Sequence, residues 1–319
     1  MWFGDFLFTQ AGLAFCGILP KILRKGLTMP RKKTAMSRFI NPYTDFGFKK
    51  LFGEEASKDL LADFLNTLLP ERHQIHTLEF RSTELLGPKA EDRRAVFDIY
   101  CENDKKEQFI VEMQKAEQEN FKDRSLYYVS HPIRAQGQKG KKWNFNLKTV
   151  YFIGILDFIF DENDPEPLLI NEVSLKNQRG KEFYEKLKLL YIQMPLFEKK
   201  ESELKTRQDK WFYFLKNLPE LEHIPVIMKE KVFKKAFHLA ELSAMPVKDR
   251  ELYEHDLHSY WTYLATIETA ENKGRTEGRA EGRTEEKVEI ARNMKKDGVD
   301  PNVIVKYTGL SLAEIKRLK

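Results

Sequence analysis

The fold of this chain is decided by the stretch AVFDIYC, residues 95–101, and the stretch QFIVEMQ, residues 108–114. A polar turn at residues 102–107 separates them, so the pattern predicts a β-hairpin. Alternation along the two strands predicts one apolar face that packs on the core. The residues of that face are Phe97, Ile99, Cys101, Phe109, Val111 and Met113.

The opposite face of the predicted hairpin carries Asp98, Glu112 and Gln114. If the hairpin is symmetric about its turn, Asp98 lies opposite Glu112, with Cβ atoms about 5 Å apart. Two carboxylates this close raise a pKa unless a cation lies between them, and hard divalent cations prefer oxygen ligands. The pattern therefore predicts a metal site, with isolated outward acids on a solvated sheet as the alternative interpretation.

The third polar residue extends the pattern to D…(D/E)-x-K, which is typical of metal-dependent nucleases. In that chemistry Asp98 and Glu112 hold Mg²⁺, which polarises a phosphate oxygen and lowers the pKa of the attacking water. The residue two positions after the second acid lies on the same face and aligns this water. It is usually a lysine, whereas this chain has Gln114.

Composition narrows the classes of protein that this chain can represent. With 319 residues, of which 41% are hydrophobic, it can form one large domain or two small ones with a real core. A net charge of +5 is a mild bias that is compatible with nucleic acid as a partner. Only Cys16 and Cys101 are present, which excludes a disulfide framework or a zinc set and fits a cytoplasmic setting.

Residues 1–36 are interpreted as an N-terminal extension upstream of the true start at Met29 or Met36. Its basic residues follow the apolar part instead of preceding it, which is unlike a secretory signal. Pro20 and several glycines make it a poor transmembrane helix, so we expect no membrane partner. A weak membrane anchor is the alternative interpretation.

Strands and helices alternate from residue 37 to residue 218, which predicts an α/β domain with a central mixed sheet flanked by helices. Thr44 or Asp45 is the predicted N-cap of the first helix. The apolar run at residues 150–160 predicts a central strand. Further helices are predicted near 57–69, 117–136 and 202–218, and further strands near 77–84, 168–174 and 188–194.

Strand signals fade after residue 218, and residues 219–272 are predicted to be a helical region. Residues 273–286 hold a Gly-Arg-x-Glu repeat without large apolar residues, which predicts a solvated linker or a frayed helix. Residues 287–319 have the outline of a helix-turn-helix, which makes this tail a candidate for DNA contact. Asp300 is the predicted start of its second helix and Gly309 the predicted end, with Val303, Ile304 and Tyr307 pointing inward. The stretch from Ser311 to Glu314 is the predicted capping box of a third helix.

Several ordered motifs resemble the Rpn family of recombination-promoting nucleases, also labelled transposases, in the PD-(D/E)XK superfamily. The resemblance runs from about residue 37 to residue 319. The motifs are FINPYTDFGFKKLFG at 39–53, FDIY at 97–100, VEMQ at 111–114, DRSLYY at 123–128, NEVS at 171–174, KW at 210–211, the Gly-Arg-x-Glu repeat and the helical tail.

The resemblance implies a restriction-endonuclease-like core and a metal-dependent DNA endonuclease that acts in recombination or on mobile elements. Its expected cofactor is Mg²⁺, with Mn²⁺ as an alternative, and its expected partner is double-stranded DNA without a small-molecule cofactor. Asp98, Glu112 and Gln114 are the implied active-site residues. The family itself has glutamine at the third position, and a neutral amide cannot stabilise hydroxide by charge, so slow turnover is expected.

Four further residues are candidates for the site. Asp45 either joins the metal ligands, as an acid on the first helix does in related nucleases, or caps that helix. Lys49 and Lys50 contact DNA phosphates or form an ordinary solvated face. Arg124 binds a phosphate with two hydrogen bonds or forms a structural ion pair.

Two other functions compete with the endonuclease interpretation. One is a catalytically silent DNA-binding or assembly protein that retains the nuclease fold, which the intact set of Asp98, Glu112 and Gln114 argues against. The other is a defence or toxin nuclease with the same chemistry. Cleavage of both strands by a single-site enzyme favours a homodimer, so a second copy is a candidate partner.

Overall fold

A computed structural model describes residues 37–85, 95–118, 120–137, 144–161 and 164–318 of the chain. The predicted N-terminal extension, residues 1–36, lies outside the described residues. The chain forms two compact units, of which one runs from Ser37 to Ala265 and a second begins at Thr266. Within the described ranges, no helix is both long and apolar enough to cross a membrane.

All strands of the described residues belong to the first unit. The first three strands along the chain are short, and the later strands are longer. They are β1 (Leu78–Phe80), β2 (Glu84–Leu85), β3 (Ala95–Val96), β4 (Ile99–Asn103), β5 (Gln108–Gln114), β6 (Val150–Leu156), β7 (Ile170–Lys176) and β8 (Glu182–Gln193). Six of them form one sheet in the order β1-β4-β5-β6-β8-β7, and β2 pairs with β3. The β5–β6 and β6–β8 pairs are parallel and the others are antiparallel, so the predicted mixed sheet is confirmed.

The apolar run predicted as a central strand is β6, which is buried along its whole length between β5 and β8. Helices flank the sheet on both sides, as the sequence predicts. The helices of the first unit are α1 (Asp45–Phe52), α2 (Lys58–Asn66), α3 (Phe121–Ala135), α4 (Arg207–Asn217), α5 (Lys231–Ala240) and the first part of α6 (Val247–Lys296). The second unit holds the rest of α6, α7 (Pro301–Thr308) and α8 (Leu312–Arg317).

Two apolar clusters lie on opposite faces of the sheet. Ile99 and Val111 pack in the larger cluster with residues of α1, α2, α4 and α5. Tyr100 and Ile110, which alternate with them, pack in the smaller cluster with residues of α3. Because both faces are covered, the face that carries Glu112 is also buried, whereas the sequence predicts burial of one face only.

The strand predicted at residues 95–101 is two strands, because β3 ends at Val96 and β4 begins at Ile99. β3 pairs with β2, while β4 pairs with β1 and β5, so the chain changes partners at Phe97 and Asp98. Alternation does not continue through this break. Phe97 therefore packs with Tyr100 and Tyr128 in the smaller cluster, and the prediction that it shares a face with Ile99 is wrong.

The Gly-Arg-x-Glu repeat also differs from its prediction as a linker or frayed helix. It is part of α6, which continues as one helix of 50 residues from Val247 to Lys296. Glycine lowers helix propensity but does not forbid helical backbone angles. The low propensity of this segment therefore did not determine its secondary structure.

The C-terminal tail has the predicted helices and caps. The Asp300 side chain accepts a hydrogen bond from the Asn302 N–H at the start of α7, and Gly309 ends that helix with a φ of 71°. Ser311 and Glu314 form the predicted capping box of α8. Ile304 is buried, but Val303 is 39% exposed and Tyr307 is 72% exposed, so the prediction that Val303 and Tyr307 point inward is wrong.

Candidate active site

Asp98 and Glu112 lie across from each other, where β4 begins and β5 approaches its end. The register pairs Ile99 with Val111, which places Asp98 beside Glu112. The Asp98 N–H donates to Glu112 Oε1 over 3.0 Å, and the Met113 N–H donates to Asp98 Oδ2 over 2.8 Å. These crossed hydrogen bonds hold both carboxylates at the same point of the sheet.

Burial makes the ionised form of both acids unfavourable. Burial raises the pKa of Glu112 well above its usual range, and the neighbouring charge of Asp98 raises it further. Burial also raises the pKa of Asp98, although the hydrogen bond from Met113 opposes this effect. Glu112 is only 3% exposed, so water screens little of this repulsion. A buried and a half-buried carboxylate on neighbouring strands form an environment that a cation stabilises.

Gln114 lies beside this pair, on the same side of β5 as Glu112. Its Nε2 donates to Glu112 Oε2 over 3.3 Å, and its Oε1 accepts a hydrogen bond from Arg124 of α3. A guanidinium has donors only, so it requires the amide oxygen on its side and turns the amide nitrogen toward Glu112. Arg124 therefore sets the orientation of the Gln114 side chain.

Arg124 is itself held in place by several neighbours. It donates to Gln118 over 2.5 Å, and its guanidinium lies 5.4 Å and 5.9 Å from the ring centroids of Phe121 and Tyr128. Neither an acid nor a phosphate is needed to explain this position. The structure brings Arg124 into the site as the partner of Gln114, which neither interpretation from the sequence included.

Asp45 does not cap α1, since the Thr44 side chain accepts the hydrogen bond from the Gly47 N–H. Asp45 is the first helical residue and forms an ion pair with Lys49 over 2.9 Å. Its charge raises the pKa of Asp98, so it adds to the negative potential at that carboxylate. Among the described residues, however, no group of three His, Cys, Asp or Glu side chains is arranged to hold a metal ion.

The two lysines of α1 have different surroundings. Lys50 lies between Glu54, at 3.2 Å, and Asp249 of α6, at 3.0 Å, so its ammonium connects two helices. Lys49 is half-exposed, and its charge lowers the pKa of Asp98. Of these two candidates for DNA contact, Lys49 is the one with an ammonium that reaches solvent beside the acids.

Lys115 and Asp157 also border this site, and the sequence interpretation included neither. Lys115 follows Gln114 directly, its ammonium lies 5.5 Å from the Tyr260 ring centroid, and its charge lowers the pKa of Asp98. The Asp157 N–H donates to the Gln114 carbonyl over 2.9 Å, and burial raises the pKa of Asp157 to about 7. The sequence gives one signal for Asp157, because an acid directly after the apolar run of β6 is unusual. The only sequence signal for Lys115 is its position next to Gln114.

Two family models match the chain. One, described as PD-(D/E)XK nuclease family transposase, matches residues 42–270, and one described as Rpn/YhgA-like nuclease family, C-terminal HTH domain, matches residues 284–319. Among curated proteins and among solved structures, no match to the chain was found. The two matches leave residues 271–283, most of the Gly-Arg-x-Glu repeat, outside both families.

Proposed function

The chain belongs to the PD-(D/E)XK nuclease family of transposases, and on that basis we propose that it is a metal-dependent endonuclease that hydrolyses phosphodiester bonds of double-stranded DNA. The observation that supports this most is the pair of Asp98, which is half-buried, and Glu112, which is buried; crossed hydrogen bonds join them and Gln114 flanks them. A role in recombination or on mobile elements is part of the proposal and rests on the transposase description of the family.

The donor set of the site fits a divalent metal ion. Each carboxylate uses one oxygen for a backbone N–H, and the other oxygens, Asp98 Oδ1 and Glu112 Oε2, are hard donors on neighbouring side chains; Glu112 Oε2 also accepts the Gln114 amide. Mg²⁺ is often held by one or two carboxylates together with waters and substrate phosphate, so a third protein carboxylate is not required. We therefore propose Asp98 and Glu112 as ligands of Mg²⁺ or Mn²⁺, with Asp45 close enough to add to the negative potential.

When bound, the metal ion supplies Lewis-acid polarisation of the phosphate and a lowered pKa for water. The protein residues position the reactants. Glu112 accepts from Gln114, and Arg124 holds the other end of that amide, so the remaining N–H and lone pair of Gln114 point in fixed directions. The amide can thus orient a water molecule toward the phosphate, but it carries no charge to stabilise hydroxide.

Because Gln114 stands where such nucleases usually have lysine, we expect slow turnover. Neighbouring cations can supply part of the positive charge that this lysine would bring. Lys115 and Lys49 are the residues whose ammonium charges lower the pKa of Asp98. They favour the ionised acids, which bind the metal ion, and they attract the DNA backbone. We assign them to electrostatic support of the site.

The helix-turn-helix of the C-terminal unit supplies a second contact with DNA in this proposal. Its family match covers α7 and α8. α8 exposes Lys316 and Arg317, while Ile315 anchors the helix in the small apolar cluster of this unit. In such motifs the second helix enters the major groove, so α8 is the candidate recognition helix.

Nicking of supercoiled plasmid DNA by the purified full-length chain tests the proposal. We expect cleavage with Mg²⁺ or Mn²⁺, none with a chelator, and a rate lower by about 1,000-fold or more for Asp98→Asn or Glu112→Gln. Glu102→Gln is the matched control, because Glu102 is a buried acid of the same hairpin that is paired with Arg81 and Lys106. If folded wild-type protein cuts nothing with either metal but still binds DNA, the silent DNA-binding alternative replaces the enzyme.

A further inference from the structure

The hairpin of β7 and β8 extends beyond the rest of the sheet. β6 begins at Val150, which pairs with Leu187 of β8, so residues 182–186 of β8 lie past the end of β6 and pair with β7 alone. All residues from 175 to 183 are exposed. We call residues 175–186 the β7–β8 arm; the proposed nuclease chemistry does not use it.

The turn at the end of the arm has a fixed backbone conformation. The Asn177 side chain accepts hydrogen bonds from the Arg179 and Lys181 N–H groups, over 3.0 Å and 3.1 Å. The Gly180 N–H donates to the Asn177 carbonyl over 2.9 Å, and Gly180 has a φ of 74°, which glycine adopts at little cost. The turn therefore presents the side chains of Arg179 and Lys181 to solvent from an ordered backbone.

Three cations lie at this end of the arm, namely Lys176, Arg179 and Lys181. Each of them is exposed, and none forms a side-chain hydrogen bond or an ion pair with another described residue. The tip of the arm therefore presents positive charge that no described group of the chain neutralises.

The acids of the same hairpin, in contrast, have cationic partners. Glu172 and Glu182 both form ion pairs with Lys188, and Glu185 forms one with Arg72 over 3.2 Å. Because these partners are not the three cations of the tip, the acids leave the positive charge of the tip available to an anionic partner.

An aromatic ring lies beside these cations. Phe183 is 79% exposed. Leu175 pairs with Tyr184 and Lys176 pairs with Glu182, so Phe183 is the extra residue of a β-bulge. A bulge bends the strand and redirects a side chain, and it also hinders the addition of another strand at a sheet edge. Exposed aromatic and basic side chains together are typical of surfaces that bind nucleic acid.

We propose that the β7–β8 arm is a DNA-binding element of the nuclease unit. Its three cations bind backbone phosphates, and Phe183 packs against base edges in the major groove. The major groove is wide enough to admit a two-stranded β-ribbon, and phenylalanine makes apolar contacts with thymine methyl groups there. This inference rests on the proposed DNA substrate and adds a contact outside the active site.

The arm is far from the carboxylate pair. The register aligns Glu112 with Gly154, and Gly154 with Tyr191 of β8. Lys181 precedes Tyr191 by ten residues, so at about 3.3 Å per residue the tip lies about 30 Å from Glu112 along the strands. This span equals about nine base pairs of B-DNA. The arm therefore contributes to DNA binding and does not touch the phosphate that reacts.

Binding of a duplex of about 40 base pairs to the full-length chain, in the presence of a chelator, tests the phosphate contacts. We expect K176Q/R179Q/K181Q to bind at least about tenfold more weakly than wild type near 150 mM salt. The slope of log K against log salt should be smaller by about 2 to 3, because three phosphate contacts are lost. K229Q/K231Q/K234Q is the matched control, since it removes the same charge from exposed lysines of this unit outside the arm.

Phe183→Ala tests the apolar contact. It should weaken binding at least about fivefold without changing the salt slope, because it removes no charge. Val226→Ala, at a side chain that is 69% exposed, is its control. In cleavage assays with Mg²⁺, both arm variants should raise KM and leave kcat unchanged. Melting temperatures equal to that of wild type show that the variants are folded.

Several results overturn the proposal. They are wild-type affinity and salt slope in K176Q/R179Q/K181Q, an equal loss in the lysine control, or a change of kcat alone. If Phe183→Ala turns a wild-type dimer into a monomer that binds DNA as wild type does, the arm contacts a second copy instead. A wild type that binds no duplex overturns the DNA substrate together with the arm. A wild type that binds but never cleaves, with weaker binding by the arm variants, contradicts only the enzyme.

Discussion

The β4–β5 hairpin and the repeat of α6 both place like charges next to each other, but they differ in exposure. In the hairpin, Asp98 and Glu112 are held together in the covered sheet, where burial raises both of their pKa values. In the repeat, the arginines and the glutamates, each at every fourth position, are fully exposed, and water and salt screen each charge from its neighbours. The same repulsion is therefore a strong local effect in the hairpin and a sum of weak effects in the repeat.

This difference indicates the kind of partner that each region needs. Buried acids are best stabilised by a compact charge that enters the site, such as a divalent ion. Exposed charges four residues apart are screened by water and salt, so the repeat requires no such ion. The following predictions test this comparison, beginning with the largest expected effect.

Neutralising one buried acid should have the largest effect. Asp98→Asn should lower plasmid cleavage about 1,000-fold or more, because the bound metal contributes several kcal/mol to catalysis. The variant should also melt about 3 °C higher than wild type without metal, since one of two repelling carboxylates loses its charge. Initial cleavage rates and thermal melts with and without Mg²⁺ measure both effects. A metal-free Asp98→Asn protein that melts lower than wild type would show that the pair is not strained.

Removing Arg124 should have a smaller effect on activity. Arg124→Ala frees the Gln114 amide, so we expect cleavage to fall about 30-fold in kcat, with little change in KM. Gln114→Ala should resemble it, and the double variant should be only slightly worse than either single one. A change confined to KM or to DNA affinity would instead identify Arg124 as a phosphate contact. Steady-state kinetics on a labelled duplex separates the two outcomes.

Asp157 should make stability depend on pH. Burial raises its pKa in the folded protein to about 7, so the native state binds a proton that the unfolded chain has released. Its contribution to stability is present below the ordinary pKa of aspartate, about 4, and is lost as the pH rises through about 7. Wild type should therefore lose about 5 °C of melting temperature relative to Asp157→Asn between pH 5 and pH 8. Parallel curves for the two proteins would contradict the raised pKa.

A change in the exposed repeat should have the smallest effect on the nuclease unit. Gly278→Ala adds a Cβ into open space, so it should raise local helix stability by about 1 kcal/mol. The melting temperature of the nuclease unit should stay within about 1 °C of wild type. Far-UV circular dichroism measures the helix content. A large shift of the main transition would show that the repeat is coupled to the core.

Much of the fold follows from local sequence signals. The N-cap at Thr44, the capping box at Ser311 and the left-handed Gly309 depend on neighbours within a few residues, so the sequence predicts them. The buried strand β6 follows from its continuous apolar run. Such features need no knowledge of distant parts of the chain.

Other features depend on contacts that the sequence does not show. Phe97 packs away from the predicted face because β3 and β4 pair with different strands. Arg124 reaches Gln114 because α3 packs against the sheet beside β5, and no spacing rule predicts that contact. The helical repeat of α6 contradicts its local propensity.

The sequence by itself determined the α/β class, the hairpin and the pairing of Asp98 with Glu112, since alternation and turn chemistry are local. The tertiary structure decided that both faces of that hairpin are covered, and hence that the acids are buried and have raised pKa values. It also decided that Arg124 orients Gln114 and that Lys115 and Asp157 border the site. Desolvation and side-chain contact depend on which elements pack together, whereas periodicity depends only on neighbouring residues.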